Sequence, residues 1–239
     1  MSRISITIPT WNEEAVIGHN LRILLSALPR LLPEHDVAVE IADNASTDRT
    51  REIVREFPVS LHEIPTRGKG RAVRESWSRH LDDADILVFM DADLAADLFS
   101  LPALVNPILS GAADIVCGSR FVAGAKVTRS PSRRLASMLY RVFQKILLRL
   151  SVKDAQCGFK AISVSSAKIL LPRCKENGWL FDTALLAHAK ASGCRIAEIP
   201  VTWVDARDPA RRSAIRLFRH GWGFLSGLIR IRKRVSSVE

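Results

Sequence analysis

Ile86-Leu87-Val88-Phe89-Met90-Asp91-Ala92-Asp93 decides the fold. Five apolar residues in a row, with acids at both ends of the run, mark a strand buried on both faces. Such a strand belongs in the middle of a parallel sheet that helices cover on either side. Working outward, residues 4–8 alternate and read as a strand, and 37–42 and 59–64 read as two more. Between them, 14–28 carries apolar residues at helical spacing: Val16, Ile17, Leu21, Leu24, Leu25 and Leu28. Ser46-Thr47-Asp48 caps a short helix at 50–57, and Gly68 and Gly70 break the chain before a helix at 72–80. Residues 115–118 form a further strand. This alternation predicts an α/β fold, a Rossmann-like, mostly parallel, doubly wound sheet. No repeat, low-complexity tract or Gly/Pro/Ser-rich linker divides it.

The chain has 239 residues, of which 47% are hydrophobic and 25% charged. Those values suit one large globular domain and exclude disordered, collagenous and disulfide-stapled classes. The four cysteines, Cys117, Cys157, Cys174 and Cys194, have no CxxC spacing, so a zinc or redox site is not expected. They read as buried thiols in a reducing compartment. No apolar run reaches the roughly 18 residues of a membrane span. Residues 4–9 are too short for the core of a signal peptide, and a cytoplasmic chain is expected.

The net charge of +10 is unevenly spread. Residues 1–119 hold 11 basic and 18 acidic residues. Residues 120–160 hold ten basic residues and one acid, Asp154, while 211–234 hold eight basic residues and no acid. Two basic patches behind an acidic half imply a polyanionic partner. In 133–150 the apolar residues fall at 135, 138, 139, 142, 143, 146, 147 and 150, one stripe at helical spacing. A second stripe, Ile215, Phe218, Trp222, Leu225 and Ile229, is flanked by arginines and weakened by Gly221, Gly223 and Gly227. Each stripe has two readings, a core-packing helix with a solvated basic face or a helix lying on an anionic membrane. Spanning is disfavoured, because Arg219 and Arg230 bracket only ten residues. A peripheral protein on the inner face of the membrane, with a separate anchoring protein as a further partner, follows from the second reading.

Chemistry concentrates where strands end. In an open α/β sheet, ligands bind beyond the carboxyl ends of the strands. Asp91 and Asp93 there can share Mg²⁺ or Mn²⁺ and bridge it to phosphate oxygens. Taken alone, the two acids read equally well as caps of the next helix. Four other strand ends are also polar and turn-forming: Pro9-Thr10-Trp11-Asn12-Glu13-Glu14, Asp43 to Asp48, Arg67-Gly68-Lys69-Gly70, and Gly118-Ser119-Arg120. Five such ends on one edge read as a site.

These motifs, with Asp154-Ala155-Gln156-Cys157-Gly158-Phe159-Lys160 and Phe181-Asp182, resemble the family-two glycosyltransferases of GT-A fold. The set is most similar to the polyprenyl- and dolichyl-phosphate hexosyltransferases, in particular their dolichyl-phosphate glucosyltransferase branch. The resemblance runs from about residue 4 to residue 203 in the same order. It implies a single catalytic domain at 1–210, with a nucleotide-sugar half at about 1–120 and an acceptor half at about 121–210. Residues 211–239 would be a basic amphipathic segment.

By the same resemblance Pro9, Trp11 and Glu13 line the nucleoside pocket and Asp43 accepts from the base. Lys69, Asp91, Ala92 and Asp93 take the ribose, diphosphate and metal. The acceptor phosphate falls to Arg120, Arg133, Arg134, Gln156, Lys160, Arg207 and Arg212, with Asp93, Arg120, Lys160 and Asp182 as the catalytic set. Two positions depart from the family pattern: Ala95 stands where the mannose synthases have a metal-binding Gln, and Ala184 where "FDxELL" has its Glu.

A lipid monophosphate is already ionised at neutral pH and needs no general base, only cationic positioning. The implied reaction is inverting transfer of a hexose from a nucleotide sugar, UDP-glucose favoured, to a polyprenyl or dolichyl phosphate. GDP-mannose as donor and a soluble acceptor are the rival enzymatic readings. A nucleic-acid-binding module would explain the charge but leave Asp43, Asp91 and Asp93 facing phosphates unscreened, so no nucleic-acid partner is expected.

Overall fold

A computed structural model describes residues 1–128, 131–204 and 221–236; for 131–136 and 221–222 the description is of backbone only. The strands are β1 (Arg3–Thr10), β2 (Asp36–Asn44), β3 (Ser60–Ile64), β4 (Ile86–Met90), β5 (Ile115–Ser119), β6 (Lys126–Thr128), β7 (Phe159–Ser163), β8 (Ile196–Pro200) and β9 (Thr202–Val204). The helices are α1 (Ile17–Leu31), α2 (Thr50–Val54), α3 (Lys69–Arg79), α4 (Leu101–Leu109), α5 (Pro131–Leu148), α6 (Val164–Leu170), α7 (Phe181–Ala191) and α8 (Gly221–Ser236).

Among the described residues, seven strands form one sheet in the order β3-β2-β1-β4-β7-β5-β8. The run that opened the reading is β4, buried along its whole length. Its alternate side chains point to opposite faces, as pleating requires. Ile86, Val88 and Met90 join one core with Leu21 and Leu24 of α1 and Leu104 of α4. Leu87 and Phe89 join the other with Trp77 of α3 and Phe181 and Leu185 of α7. Neither face of β4 meets water, which is why its sequence is continuously apolar rather than alternating.

β1, β2, β3 and β4 run parallel, as do β5 and β8. β7 is the exception, antiparallel to both β4 and β5. It therefore begins at the edge where its neighbours end. The loop before it is carried to the same edge as the loops after β1, β2, β3, β4 and β5. β6 and β9 pair separately, and an isolated bridge ties Ala96 to Trp203.

α5 keeps the predicted amphipathic helix but turns its apolar stripe outward. Met138, Leu139, Val142, Phe143 and Ile146 are exposed, at 45–63%. The inward side is polar: the Tyr140 hydroxyl pairs with Thr183 at 2.6 Å, and Gln144 donates to the Val152 carbonyl at 3.2 Å. In α8 the buried residues are Gly227, Leu228 and Ile231, while Ile229 of the expected stripe is exposed. The phase differs because α8 turns Gly227 inward, where a Cβ would overlap Leu180, while Gly223 stays exposed. Among the described residues, no helix is long and apolar enough to cross a membrane.

Candidate active site

The loops at the sheet edge are knitted by backbone-to-side-chain bonds. Asn12 donates its N–H to the Ser46 hydroxyl at 2.9 Å, and Glu13 donates to Thr50 at 2.7 Å. Asn44 spans three strand ends. Its amide donates to the Thr10 carbonyl at 2.5 Å, and its Oδ1 accepts from Gly68 N–H at 2.8 Å. Asn12, Ala45 and Leu94, which follow β1, β2 and β4, all have positive φ (54°, 67° and 45°). Non-glycine residues hold that conformation only where their surroundings impose it, and such strain gathers at functional sites.

The edge encloses a cavity of about 1020 Å³. Pro9, Trp11, Glu13, Lys69, Asp91, Ala92 and Asp93 all line it, so seven of the residues marked in the sequence share one space. The Arg67 guanidinium lies over the Trp11 ring, 3.4 Å from its centroid, and lines the cavity too. Asp43 is fully buried behind this wall, where its carboxylate accepts from Ser46 N–H at 3.1 Å and lies 3.6 Å from Arg51 Nε.

Charges alternate across the floor. Lys69 Nζ lies 2.7 Å from Asp91 Oδ1 and 4.0 Å from Asp182 Oδ2. Asp182 Oδ1 in turn receives Lys160 Nζ at 2.6 Å. Burial alone pushes the Lys69 ammonium down, but Asp91 and Asp182 more than offset it, and its pKa lies above the ordinary lysine value. Lys160 behaves the same way: burial opposes its charge, Asp182 restores it, and the balance is upward. Asp91 N–H also donates to the Gly158 carbonyl at 3.0 Å, and a Cβ on Gly158 would overlap the Asp91 carboxylate. Only glycine fits there.

The remaining expected residues lie elsewhere. Arg120 is buried, bonded to Asp154 through Nε at 2.6 Å and Nη2 at 2.8 Å, with its guanidinium 4.6 Å from the Trp203 ring centroid. Gln156 donates to Thr183 at 2.8 Å and to the Trp179 carbonyl at 3.1 Å, which holds the segment before α7. Lys160 has no solvent exposure. These three, with Asp182, make a shell behind the cavity rather than its lining. Arg133 and Arg134 lie in α5 with side chains outside the described residues, and Arg207 and Arg212 lie outside them altogether.

One wall was not anticipated. Residues 175–180 line the cavity, as do Gly223, Phe224, Gly227, Arg230 and Arg234 of α8. The signal was present as spacing: 223, 227, 230 and 234 fall on one helical face. Arg234 Nη1 pins that face to Glu176 at 2.6 Å, and Phe224 meets the Tyr140 ring of α5 edge-on at 5.8 Å.

Among the described residues there is no cluster of three or more metal-ligating side chains. The donor set is two carboxylates, Asp91 and Asp93, whose Oδ1 accepts from Ala95 N–H at 3.2 Å. Mg²⁺ and its like are often held by one or two carboxylates, with substrate phosphate and water completing the shell. The pair fits that role and no larger one.

Residues 5–170 match the family model described as Glycosyl transferase family 2. The chain is 30% identical over 233 residues to glycosyltransferase AglD of Haloferax volcanii, covering 95% of this chain and 36% of that protein. It is 28% identical to dolichyl-phosphate beta-glucosyltransferase ALG5C of Trichomonas vaginalis, covering 85% of this chain and 64% of that one. It is 31% identical to the undecaprenyl-phosphate mannosyltransferase of Micrococcus luteus, covering 85% of this chain and 84% of that one. The chain thus spans about a third of the first relative and just under two thirds of the second. Among solved structures, it superposes on glucosyl-3-phosphoglycerate synthase from Mycobacterium tuberculosis with Mn²⁺, UDP and glucosyl-3-phosphoglycerate. The TM-score is 0.72 at 20% identity, over 97% of this chain and 80% of that one.

Proposed function

The chain belongs to glycosyl transferase family 2 and has the GT-A fold, and on that premise we propose that it transfers a hexose from a nucleotide sugar to a polyprenyl or dolichyl monophosphate. One observation carries the reading. A single cavity joins an aromatic slot, Trp11 under Arg67, to an acid-and-ammonium floor, Asp91, Asp93 and Lys69. An aromatic slot suits a base, and a floor of acids and an ammonium suits a diphosphate with its counter-ion. At about 1020 Å³ the cavity stands at the top of the usual range for small-molecule sites, which leaves room for a second substrate.

In this mechanism the nucleoside lies at Pro9, Trp11 and Glu13, and the diphosphate over Lys69. A divalent cation held by Asp93 with Asp91 would offset charge on the leaving diphosphate. The ammonium of Lys69 supplies the same sign from the protein itself. An oxygen of the acceptor phosphate forms a bond to the anomeric carbon from the opposite side. The bond from that carbon to the diphosphate breaks, its electron pair leaves with the nucleoside diphosphate, and the anomeric centre inverts. The attacking phosphate is ionised at neutral pH, so a missing carboxylate at Ala184 costs the reaction no base. UDP-glucose is the favoured donor and GDP-mannose the alternative, since relatives bear both kinds of name.

The exposed apolar face of α5 gives the lipid its approach. Five large apolar side chains stand in solvent beside Lys145 and Arg149, the composition of a helix that rests on an anionic bilayer. Phe224 touches α5 and lines the cavity, so one helix separates that face from the site. The protein would then work peripherally, at the inner surface of the membrane.

The test is a transfer assay with undecaprenyl phosphate in detergent, Mg²⁺ or Mn²⁺, and a panel of labelled sugar nucleotides. Label is expected in the organic extract with one donor, and Asp93→Ala is expected to reduce it by about 100-fold or more. Nucleotide binding with no lipid label from any donor would overturn the lipid acceptor.

A further inference from the structure

We propose that Arg230 of α8, with Lys175 of the same cavity lining, is the subsite that takes the phosphate monoester of the acceptor. This rests on the reading above and names which residues meet the second substrate.

The cations that line the cavity are not equivalent. Lys69 is engaged by Asp91 at 2.7 Å. Arg234 is engaged by Glu176 at 2.6 Å. Arg67 lies over the Trp11 ring. Arg230 and Lys175 also line the cavity, and neither side chain has an ion-pair partner among the described residues. Two uncompensated cations in one cavity wall attract an anion. On the reading above, the donor diphosphate already has Lys69, with Asp91 and Asp93 to hold its cation. A second anion-binding point in a cavity of this size has a second anionic substrate to serve.

The basic residues expected to do this from the sequence are occupied. Arg120 is forked onto Asp154, and Lys160 is sealed against Asp182. Each would have to abandon a buried partner to reach a phosphate, leaving an unpaired charge in the interior. Arg230 abandons nothing. It stands one turn before Arg234, whose ion pair fixes the helix, and one turn after Gly227, whose missing Cβ lets α8 sit against Leu180. Its guanidinium therefore lines the cavity with its five donors free of any ion pair among the described residues. That geometry suits bidentate contact with a phosphate dianion.

A phosphate monoester can come from a membrane lipid or from a small soluble acid, and the experiment separates them. Arg230→Gln, Arg230→Lys and Lys175→Gln are compared with the unaltered chain in two arms, undecaprenyl phosphate in detergent and phosphoglyceric acid in buffer. KM for each acceptor is measured by transfer, and acceptor affinity by tryptophan fluorescence in the presence of UDP. UDP affinity and thermal midpoint are measured alongside. In the arm that holds the true acceptor, Arg230→Gln is expected to raise acceptor KM about tenfold or more. UDP affinity and the midpoint should stay unchanged, and Arg230→Lys should recover part of the loss. An unchanged acceptor KM, or a loss that falls on UDP instead, overturns the assignment. UDP binding without phosphate-acceptor binding in either arm also overturns it while leaving the donor half of the proposed function standing. Failure to bind either UDP or GDP would instead remove the proposed function itself.

Discussion

Lys160 carries a full charge with no solvent exposure, and its ammonium is spent on Asp182 and on the carbonyl of Cys157. Removing one member of such a pair strands the other in the interior, at a cost of about 3–5 kcal/mol. Lys160→Met should therefore lower the free energy of unfolding by that amount, read from urea titration. Lys160→Met combined with Asp182→Leu should recover most of it. Full stability with lost transfer in the single variant would instead place Lys160 on a substrate. Nothing in the segment Gly158-Phe159-Lys160 distinguishes these outcomes beforehand. The family resemblance marks it as belonging to a site but does not say which group the lysine meets. The carboxylate that claims the lysine lies 22 positions further on, and folding brings it there. Arg120 and Asp154 repeat the lesson across 34 positions.

At the scale of one helix, α5 separates what periodicity can and cannot reveal. The stripe at 138, 139, 142, 143 and 146 was plain from spacing, since residues three and four apart share a face. Spacing does not say which face turns inward. That depends on Tyr140 and Gln144, which find Thr183 and the Val152 carbonyl as partners, so the polar side of the helix is the anchored one. An exposed row of five large apolar side chains is the kind of patch that marks a contact surface. Phe143→Glu with Ile146→Glu should leave the thermal midpoint nearly unchanged, because both side chains already face solvent. The same double variant should weaken co-sedimentation with anionic vesicles by about tenfold or more. Vesicle binding that survives both charges would assign the face to some other contact. α8 was harder to place from its sequence. Its glycines read as weakness in an isolated helix, but Gly227 makes close packing on Leu180 possible.

Over the whole molecule, the strand-helix alternation before residue 120 was legible because each parallel strand is bounded by its own turn and helix. The insertion of β7 was not. Five residues, FKAIS, look the same whichever way they run, and their direction follows from pairing with β4 and β5. Through β7 the two halves named from the sequence share one sheet. Without it, β5 has no neighbour on the side of β4. A fragment of residues 1–120 is accordingly expected to show no cooperative thermal transition, by calorimetry or circular dichroism, where the full chain shows one. A sharp transition in the fragment would mean that β1 to β4 close a core by themselves. The position of β7 also sets a timetable for synthesis. The loops after β1 to β4 have all been translated once β5 ends at Ser119, yet the strand that seats β5 is not complete until Ser163. At ordinary elongation rates of 5–20 residues per second, that gap lasts about 2–9 s. Through those seconds the nascent chain presents the bare edge of its most apolar strand to the crowded exit of the ribosome. Until β7 pairs with it, that edge stays open to any other extended chain.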